Sequence, residues 1–309
     1  MKILIIDSLH NLFQEGLIAL GHQVIYKPNI TLDQLYIDIK DIDALVVRSK
    51  FSITKEIIEK APVLKIIARA GAGMDNVDEH FAKEKNILCI HAGGANADAV
   101  GEHAVGMLLM LFNKLKQADS QVRNKIWDRE ANRGIELKGK NIGIIGFGHT
   151  GSALAKKLSG FDVNIYAYDK YKNKFGTSYV KESSLHEIFE HCDIITFHVP
   201  LTSETKYMCN QEFIYSFKKN IYIMNLSRGL VVNTNDLTYA LENNKVLGCV
   251  LDVLENEKLS NFTKEDYSWF DKLTAHSNTI LSPHVAGWTD ESYERISSYL
   301  LKSFSSLKV

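Results

Sequence analysis

The stretch "NIGIIGFGHTG", Asn141 to Gly151, sets an apolar run directly against three glycines, Gly146, Gly148 and Gly151. Glycine loses more freedom on folding than any other residue, so a buried strand that runs straight into three of them needs a reason. The G-x-G-x-x-G spacing is weak by itself. Its context is stronger: "SALAKKLSGF" continues with helical periodicity, and a second apolar strand, "VNIYAY", leads to Asp169. Together these make a β-α-β unit shaped for a dinucleotide. Gly146 permits the tight turn, Gly148 lets the backbone approach a pyrophosphate, and Gly151 lets helix and strand pack closely. Phe147, His149 and Thr150 complete the turn, where a helix N-terminus offers N–H groups and a partial positive charge. Asp169 can accept two ribose hydroxyls and would repel a 2′-phosphate, which favours NAD over NADP. Lys170 and Lys172 lie close enough to soften that preference.

Working outward, the chain has 309 residues, long for one core and suited to two domains. Before the glycines, "KILIID", "HQVIY", "DALVVRS", "LKIIARAG" and "ILCIHA" read as short strands separated by helical patterns. After them, "NIYAYD", "DIITFHV", "IYIMNLS", "LGCVLDV" and "NTILSP" repeat the alternation. Unbroken apolar strands between helices imply parallel sheets covered on both faces. A helical pattern from Asn96 to Gln117, apolar nearly all round at its centre, joins the two series, and "DESYERISSYLLKSFSSL" closes the chain as an amphipathic helix. The fold class is α/β, with two doubly wound parallel-sheet domains.

Hydrophobic content of 45% and charged content of 24% are those of a globular protein, and a net charge of -1 offers no basic surface to nucleic acid or anionic membrane. No apolar run approaches the ~20 residues that cross a bilayer. The N-terminal "MKILIIDS" meets Asp7 too early to be a signal peptide. Cys89, Cys192, Cys209 and Cys249 form no CxxC pair and no zinc spacing, so they read as reduced, without a metal, in a cytoplasmic protein.

In an open parallel sheet, ligands sit beyond the carboxyl ends of the strands. "IYIMNLS" is followed by Arg228-Gly229, "LGCVLDV" by Leu254-Glu255-Asn256-Glu257, and "NTILSP" by His284. An Arg, a carboxylate and a His therefore emerge in turn on one edge. Hydride transfer to or from a 2-hydroxy acid needs such a set: a cation for the substrate carboxylate, a group titrating near neutrality for the hydroxyl proton, and a carboxylate to orient that group. Each residue alone has a duller explanation as a loop or surface group. Their joint occurrence beside a dinucleotide turn reverses that balance. His91, His103, His149, His186, His191 and His198 lack such companions and read as packing or hydrogen-bonding residues.

Several blocks in order, "RAGAGMDNVD" (Arg69 to Asp78), "GANADAVGEHAVGMLL" (Gly94 to Leu109), the glycine turn, "HVPLTSET" (His198 to Thr205), "NLSRG" (Asn225 to Gly229) and "SPHVAGWT" (Ser282 to Thr289), resemble the D-isomer-specific 2-hydroxyacid dehydrogenase family over nearly the whole chain. The resemblance implies a discontinuous flavodoxin-like substrate domain, residues 1–93 and 284–309, with a Rossmann NAD domain inserted at 94–283. It implies that Arg228 holds the substrate, Glu257 supports the histidine and His284 is the general acid/base. His198, Pro200, Thr205, Ser227, Asp252 and Gly287 join the cofactor set, with Asp252 facing the nicotinamide carboxamide. The backbone of Ala72 and Gly73 is implied to bind the substrate carboxylate, with Asn96 in the same set. A homodimer through the cofactor domains is also implied, with no nucleic acid or membrane as partner.

Within the family, "VVRSK" (Val46 to Lys50) and "IIARAGAGMDNVDEHFAKEKNI" (Ile66 to Ile87) are similar to the short-form D-3-phosphoglycerate dehydrogenase branch. That likeness implies NAD-dependent oxidation of 3-phospho-D-glycerate to 3-phosphohydroxypyruvate, at the head of serine synthesis. A doubly anionic substrate needs cations beyond Arg228; Arg48 and Arg69 end strands of the first series, and Arg129 in "IWDRE" is placed by the resemblance at a neighbouring subunit's phosphate. The alternatives are a reductase of glyoxylate, hydroxypyruvate or another small 2-keto acid, and a non-catalytic NAD(H)-sensing protein. The sequence departs from the family pattern at Asn233-Thr234, where an acidic pair is usual, and at Lys258, where Pro is usual. It also carries a longer insertion, "LSNFTKEDYSWFDKLTAHS", before His284.

Overall fold

The computed structural model describes residues 1–307. It divides into two compact units, one of Met1–Asn96 with the stretch from Trp288 onward, the other Ala97–Gly287. The divisions thus fall at 96/97 and 287/288, against the expected 93/94 and 283/284, and they put His284 in the second unit.

The first unit is built on five parallel strands, Lys2–Ile5 (β1), Gln23–Tyr26 (β2), Ala44–Val47 (β3), Ile66–Arg69 (β4) and Leu88–His91 (β5), in the order β2-β1-β3-β4-β5. That is the flavodoxin order. β3 is wholly buried, as a run without a polar residue must be, whereas the edge strands β2 and β5 keep exposed positions. One face packs Leu35, Ile39, Ile57, Ile58 and Phe81; the other packs Phe13 and Leu17 against Ile296, Leu300 and Phe304 of the last helix, Asp290–Ser306. The helix Asn11–Ala19 meets that last helix so closely that a Cβ on Gly16 would lie 2.2 Å from Leu301 Cδ2. This contact is how a C-terminal segment comes to belong to the N-terminal unit.

The second unit has seven strands, Asn141–Ile145 (β6), Asn164–Tyr168 (β7), Val180–Glu182 (β8), Ile194–Phe197 (β9), Ile221–Asn225 (β10), Val246–Leu251 (β11) and Thr279–Leu281 (β12), again all parallel. Their order is β12-β11-β10-β9-β6-β7-β8. Counted from β6, this is the Rossmann order with a seventh strand added, and strand order reverses between β6 and β9. The helix Ala97–Phe112 buries Ala104, Leu108 and Phe112 against Ile142, Ile144 and Leu154. On the opposite face Ile188, Phe213, Phe217 and Leu237 cover Ile195, Phe197 and Ile223.

One expectation needs correction. The helical pattern read from Asn96 to Gln117 is two helices, Ala97–Phe112 and Leu115–Arg123, broken at Lys114, which takes φ +52. The returning chain fixes the break, because the Ile135 N–H donates to the Phe112 carbonyl at 3.0 Å. The short strand β8 was not anticipated. The insertion after Glu257 folds into the helix Lys264–Ala275, capped reciprocally by Thr263 and Asp266. All four cysteines are free, Cys192, Cys209 and Cys249 being buried. No helix among the described residues is long and apolar enough to cross a membrane.

Candidate active site

The glycine turn joins β6 to the helix His149–Leu158. Gly146 has φ +93, and a Cβ there would lie 2.5 Å from the His198 carbonyl oxygen. A Cβ on Gly151 would lie 2.2 Å from the Gly146 carbonyl oxygen, so helix and turn touch backbone to backbone. A Cβ on Gly148 would meet nothing within 4 Å. Gly148 is the N-cap and brings no side chain to the first-turn N–H groups, and no acidic residue occupies that turn. An open backbone at an uncapped helix N-terminus fits a pyrophosphate.

Asp169, just after β7, does more than the sequence suggested. Its Oδ2 accepts the Phe147 N–H at 2.9 Å, and its Oδ1 accepts the N–H groups of Tyr171 and Lys172 at 3.0 and 3.1 Å. A carboxylate offers about four acceptor positions, and three hydrogen bonds to Asp169 serve the turn itself. The neighbouring lysines are engaged as well. Lys170 Nζ lies 2.6 Å from Glu204 Oε2, and Lys172 Nζ donates to the Phe147 carbonyl at 3.0 Å.

His198 follows β9 and is buried. Its Nε2 lies 2.9 Å from Thr196 Oγ1, its Nδ1 is buried without a partner, and burial pushes its pKa down to about 4. It is a neutral packing residue beside Gly146. At the end of β10, buried Asn225 organises the next turn: its Oδ1 accepts the Ser227 N–H and hydroxyl, and its Nδ2 donates to the Arg228 carbonyl at 2.9 Å. Sequence reading passed over Asn225, although an amide at a strand end is a known device for closing a turn.

Asp252, after β11, is 1% exposed. Its Oδ1 accepts the Ser282 hydroxyl at 2.6 Å and the Val285 N–H at 2.9 Å, and its Oδ2 accepts the Ala286 N–H at 2.9 Å. Its carbonyl accepts the His284 N–H at 2.7 Å. Asp252 therefore clamps the turn carrying His284, beyond the role toward the nicotinamide that the family resemblance implies. His103 joins the same cluster, with Nε2 3.1 Å from Ser282 Oγ. Held this way, His284 adopts φ +56, a left-handed conformation uncommon outside glycine. Its Nδ1 lies 3.0 Å from Glu257 Oε2, with both side chains about half exposed. An ionised carboxylate only accepts, so Nδ1 is the donor and Nε2 is left to exchange a proton.

In the first unit, the Arg48 guanidinium lies 3.5 Å from the centroid of the Trp288 ring and 5.5 Å from that of Tyr293. Burial, with nearby Arg69, holds it down at about 10. The Asp7 carboxylate accepts the Arg48 N–H at 2.6 Å. Arg69 folds back over its own loop, where a Cβ on Gly71 would lie 1.7 Å from its Nη1. Ala72 and Gly73 follow in that bend, and Asn96 Oδ1 is buried without a partner. Arg129 stands exposed in the turn after Trp127. The structure thus brings Glu257 and His284 together in one unit and gathers Arg48 and Arg69 in the other. Among the described residues no cluster of His, Cys, Asp or Glu is arranged for a metal.

The family model for the NAD binding domain of D-isomer specific 2-hydroxyacid dehydrogenases matches residues 105–286. The chain is 36% identical over 296 residues to a D-3-phosphoglycerate dehydrogenase of Methanocaldococcus jannaschii, covering 94% of this chain and 54% of that protein. It therefore spans about half the length of that relative. It is equally, 36%, identical over 270 residues to a hydroxypyruvate reductase of Thermotoga maritima, covering 87% of this chain and 86% of the relative. Among solved structures, D-lactate dehydrogenase from Aquifex aeolicus complexed with NAD and lactic acid superposes with a TM-score of 0.84 at 28% identity, covering 99% of this chain and 95% of that one. The two parallel sheets, the dinucleotide turn and these likenesses agree, and the chain belongs to the NAD-binding D-isomer-specific 2-hydroxyacid dehydrogenase family.

Proposed function

We propose that the chain oxidises 3-phospho-D-glycerate to 3-phosphohydroxypyruvate at the head of serine synthesis. The contact of His284 Nδ1 with Glu257 at 3.0 Å carries the chemistry, because it turns Nε2 into the proton acceptor for the C2 hydroxyl. NAD, when bound, supplies the hydride acceptor. Arg228 grips the substrate carboxylate bidentately and polarises the forming carbonyl, while Glu257 stabilises the imidazolium. In this reading Gly146 to Gly151 and Asp169 hold the dinucleotide, with His198, Pro200, Thr205, Ser227, Asp252 and Gly287 beside it. The backbone of Ala72 and Gly73 receives the substrate carboxylate, Asn96 also lines the substrate, and Arg48, Arg69 and a neighbouring subunit's Arg129 receive the phosphate.

Reduction of hydroxypyruvate or glyoxylate is the second reading. It is favoured by the equal identity and fuller coverage of the Thermotoga reductase, and by the stacking of Arg48 on Trp288, which gives that cation a purpose without a phosphate. We also infer a homodimer through the second unit. The helix Leu115–Arg123 buries none of its residues, and Leu115, Val122, Ile126 and Trp127 stand exposed.

NADH oxidation should be compared with 3-phosphohydroxypyruvate, hydroxypyruvate, glyoxylate and pyruvate. A preference of ~100-fold or more in kcat/KM for the phosphorylated acid, about 2.7 kcal/mol of transition-state binding, is expected. Equal or better turnover of the unphosphorylated acids would reject the phosphoglycerate assignment and leave the reductase. Size-exclusion of the same sample should give twice the mass of one chain; a monomer would remove the dimer.

A further inference from the structure

We propose that Glu255 is a positioning residue for the reaction: its carboxylate fixes the loop that presents Glu257 to His284. The inference rests on the reading of Glu257 and His284 as the acid/base pair. β11 ends at Leu251, and Glu257 lies six residues on, in a loop without regular structure. A carboxylate on such a loop is held 3.0 Å from a histidine only if the loop itself is tied down.

The ties run through Glu255. This side chain is partly buried, whereas Glu257 is exposed. Glu255 Oε1 accepts the Thr234 N–H at 2.5 Å, and Oε2 accepts the Tyr207 hydroxyl at 2.8 Å. Thr234 opens the helix Thr234–Glu242, so its N–H is one of the first-turn donors left without a partner inside the helix. Tyr207 is itself held, at φ +53, with its N–H on the Leu230 carbonyl at 2.7 Å. Thr234 thus belongs to the segment that follows Arg228, and Tyr207 is tied to that segment through Leu230. Backbone packing adds a third tie, since a Cβ on Gly229 would lie 1.8 Å from the Leu254 carbonyl oxygen. Downstream, Asn256 donates to Asp266 at 3.1 Å, the residue that caps the inserted helix. Glu255 therefore locks the Arg228 loop and the Glu257 loop into one frame. At the departure from the family pattern, Asn233 Oδ1 accepts the Asp236 N–H to cap the helix, and the backbone N–H of Thr234 goes to Glu255.

The test is a double-mutant cycle read in steady-state kinetics with the best substrate of the panel, alongside NADH titration. Glu255→Ala should lower kcat ~10- to 100-fold, with KM and NADH affinity kept within ~2-fold. Glu255→Gln, which keeps an acceptor for Thr234, should recover most of the loss. The double variant Glu255→Ala with Glu257→Ala should be no slower than Glu257→Ala alone, within ~3-fold. Should Glu255→Ala not fold, Tyr207→Phe must show the same pattern, a ~3-fold loss that vanishes when Glu257 is Ala. Multiplying losses in the double variant, or lowered thermal stability at unchanged kcat, would overturn the positioning role while leaving the acid/base pair intact. Full kcat in Glu257→Ala would instead overturn the reading of the pair, and this inference with it.

Discussion

The carboxyl edges of the two sheets solve the problem of polar groups in opposite ways. Behind the seven-stranded sheet, Thr196, His198, Asn225, Ser227 and Asp252 are all buried, and they sit at or just past the ends of β9, β10 and β11. In the first unit the only polar residues buried as a whole, among those described, are Ser292 and Ser297, both in its last helix. Its strand ends carry Asp7, Arg48 and Arg69 instead, each only partly buried. Burying a polar group is costly unless it is hydrogen-bonded, and the second unit meets that cost with backbone donors to Asn225 and Asp252. One edge is a rigid set of fixed dipoles, suited to holding reacting atoms. The other is a partly open cationic rim, suited to holding charge.

The largest test of this contrast removes the histidine to which we assign the proton transfer. His284→Asn should lower kcat ~100-fold or more while NADH binding, followed by fluorescence, stays within a few-fold. Turnover within ~3-fold of the parent would make the chain a nucleotide-sensing protein, and the fixed dipoles would then serve binding alone.

Rigid burial has a second consequence, visible in acid. Burial holds His198 at about 4, below the usual 6.5. The unfolded chain therefore takes up this proton first as pH falls. The associated stability is complete above pH 6.5, drains away between pH 6.5 and 4, and amounts to about 3 kcal/mol at most. Denaturant midpoints from pH 7.5 to 4.5 should fall accordingly. His198→Asn should be less stable at neutral pH but show a flatter acid limb. Parallel limbs in the two proteins would mean that His198 is not what makes this edge acid-sensitive.

Much of the architecture was legible because its signals are local. The strands of both sheets announce themselves as apolar runs, and Gly146 and Gly151 lie where only glycine fits. Arg228, Glu257 and His284 could be singled out as candidates because parallel strands deliver their following residues to one edge. The clamps were not legible. That Asp252 holds the backbone of Val285 and Ala286, or that Glu255 reaches Thr234, depends on which N–H faces which carboxylate across loops far apart in sequence. The break at Lys114 carries no Gly or Pro, and β8 buries only Val180, too little for a periodic signal. The helix Lys264–Ala275 did have one, the Thr263 and Asp266 capping pair.

The cationic rim can be probed at Trp288, whose ring backs the Arg48 guanidinium at 3.5 Å and is itself 60% exposed. Trp288→Leu keeps an apolar side chain but removes the aromatic face, so it should cost only about 1 kcal/mol of stability. If the ring serves to aim Arg48 at a phosphate, KM for 3-phosphohydroxypyruvate should rise ~5- to 10-fold while kcat, and KM for hydroxypyruvate, hold steady. The asymmetry between substrates decides the matter, because a general loosening of the unit would raise both KM values together. Equal KM changes, or none, would make Arg48 a structural cation whose stack replaces the buried hydrogen bonds of the other edge. Substrate choice would then have to be sought among the groups around Arg228.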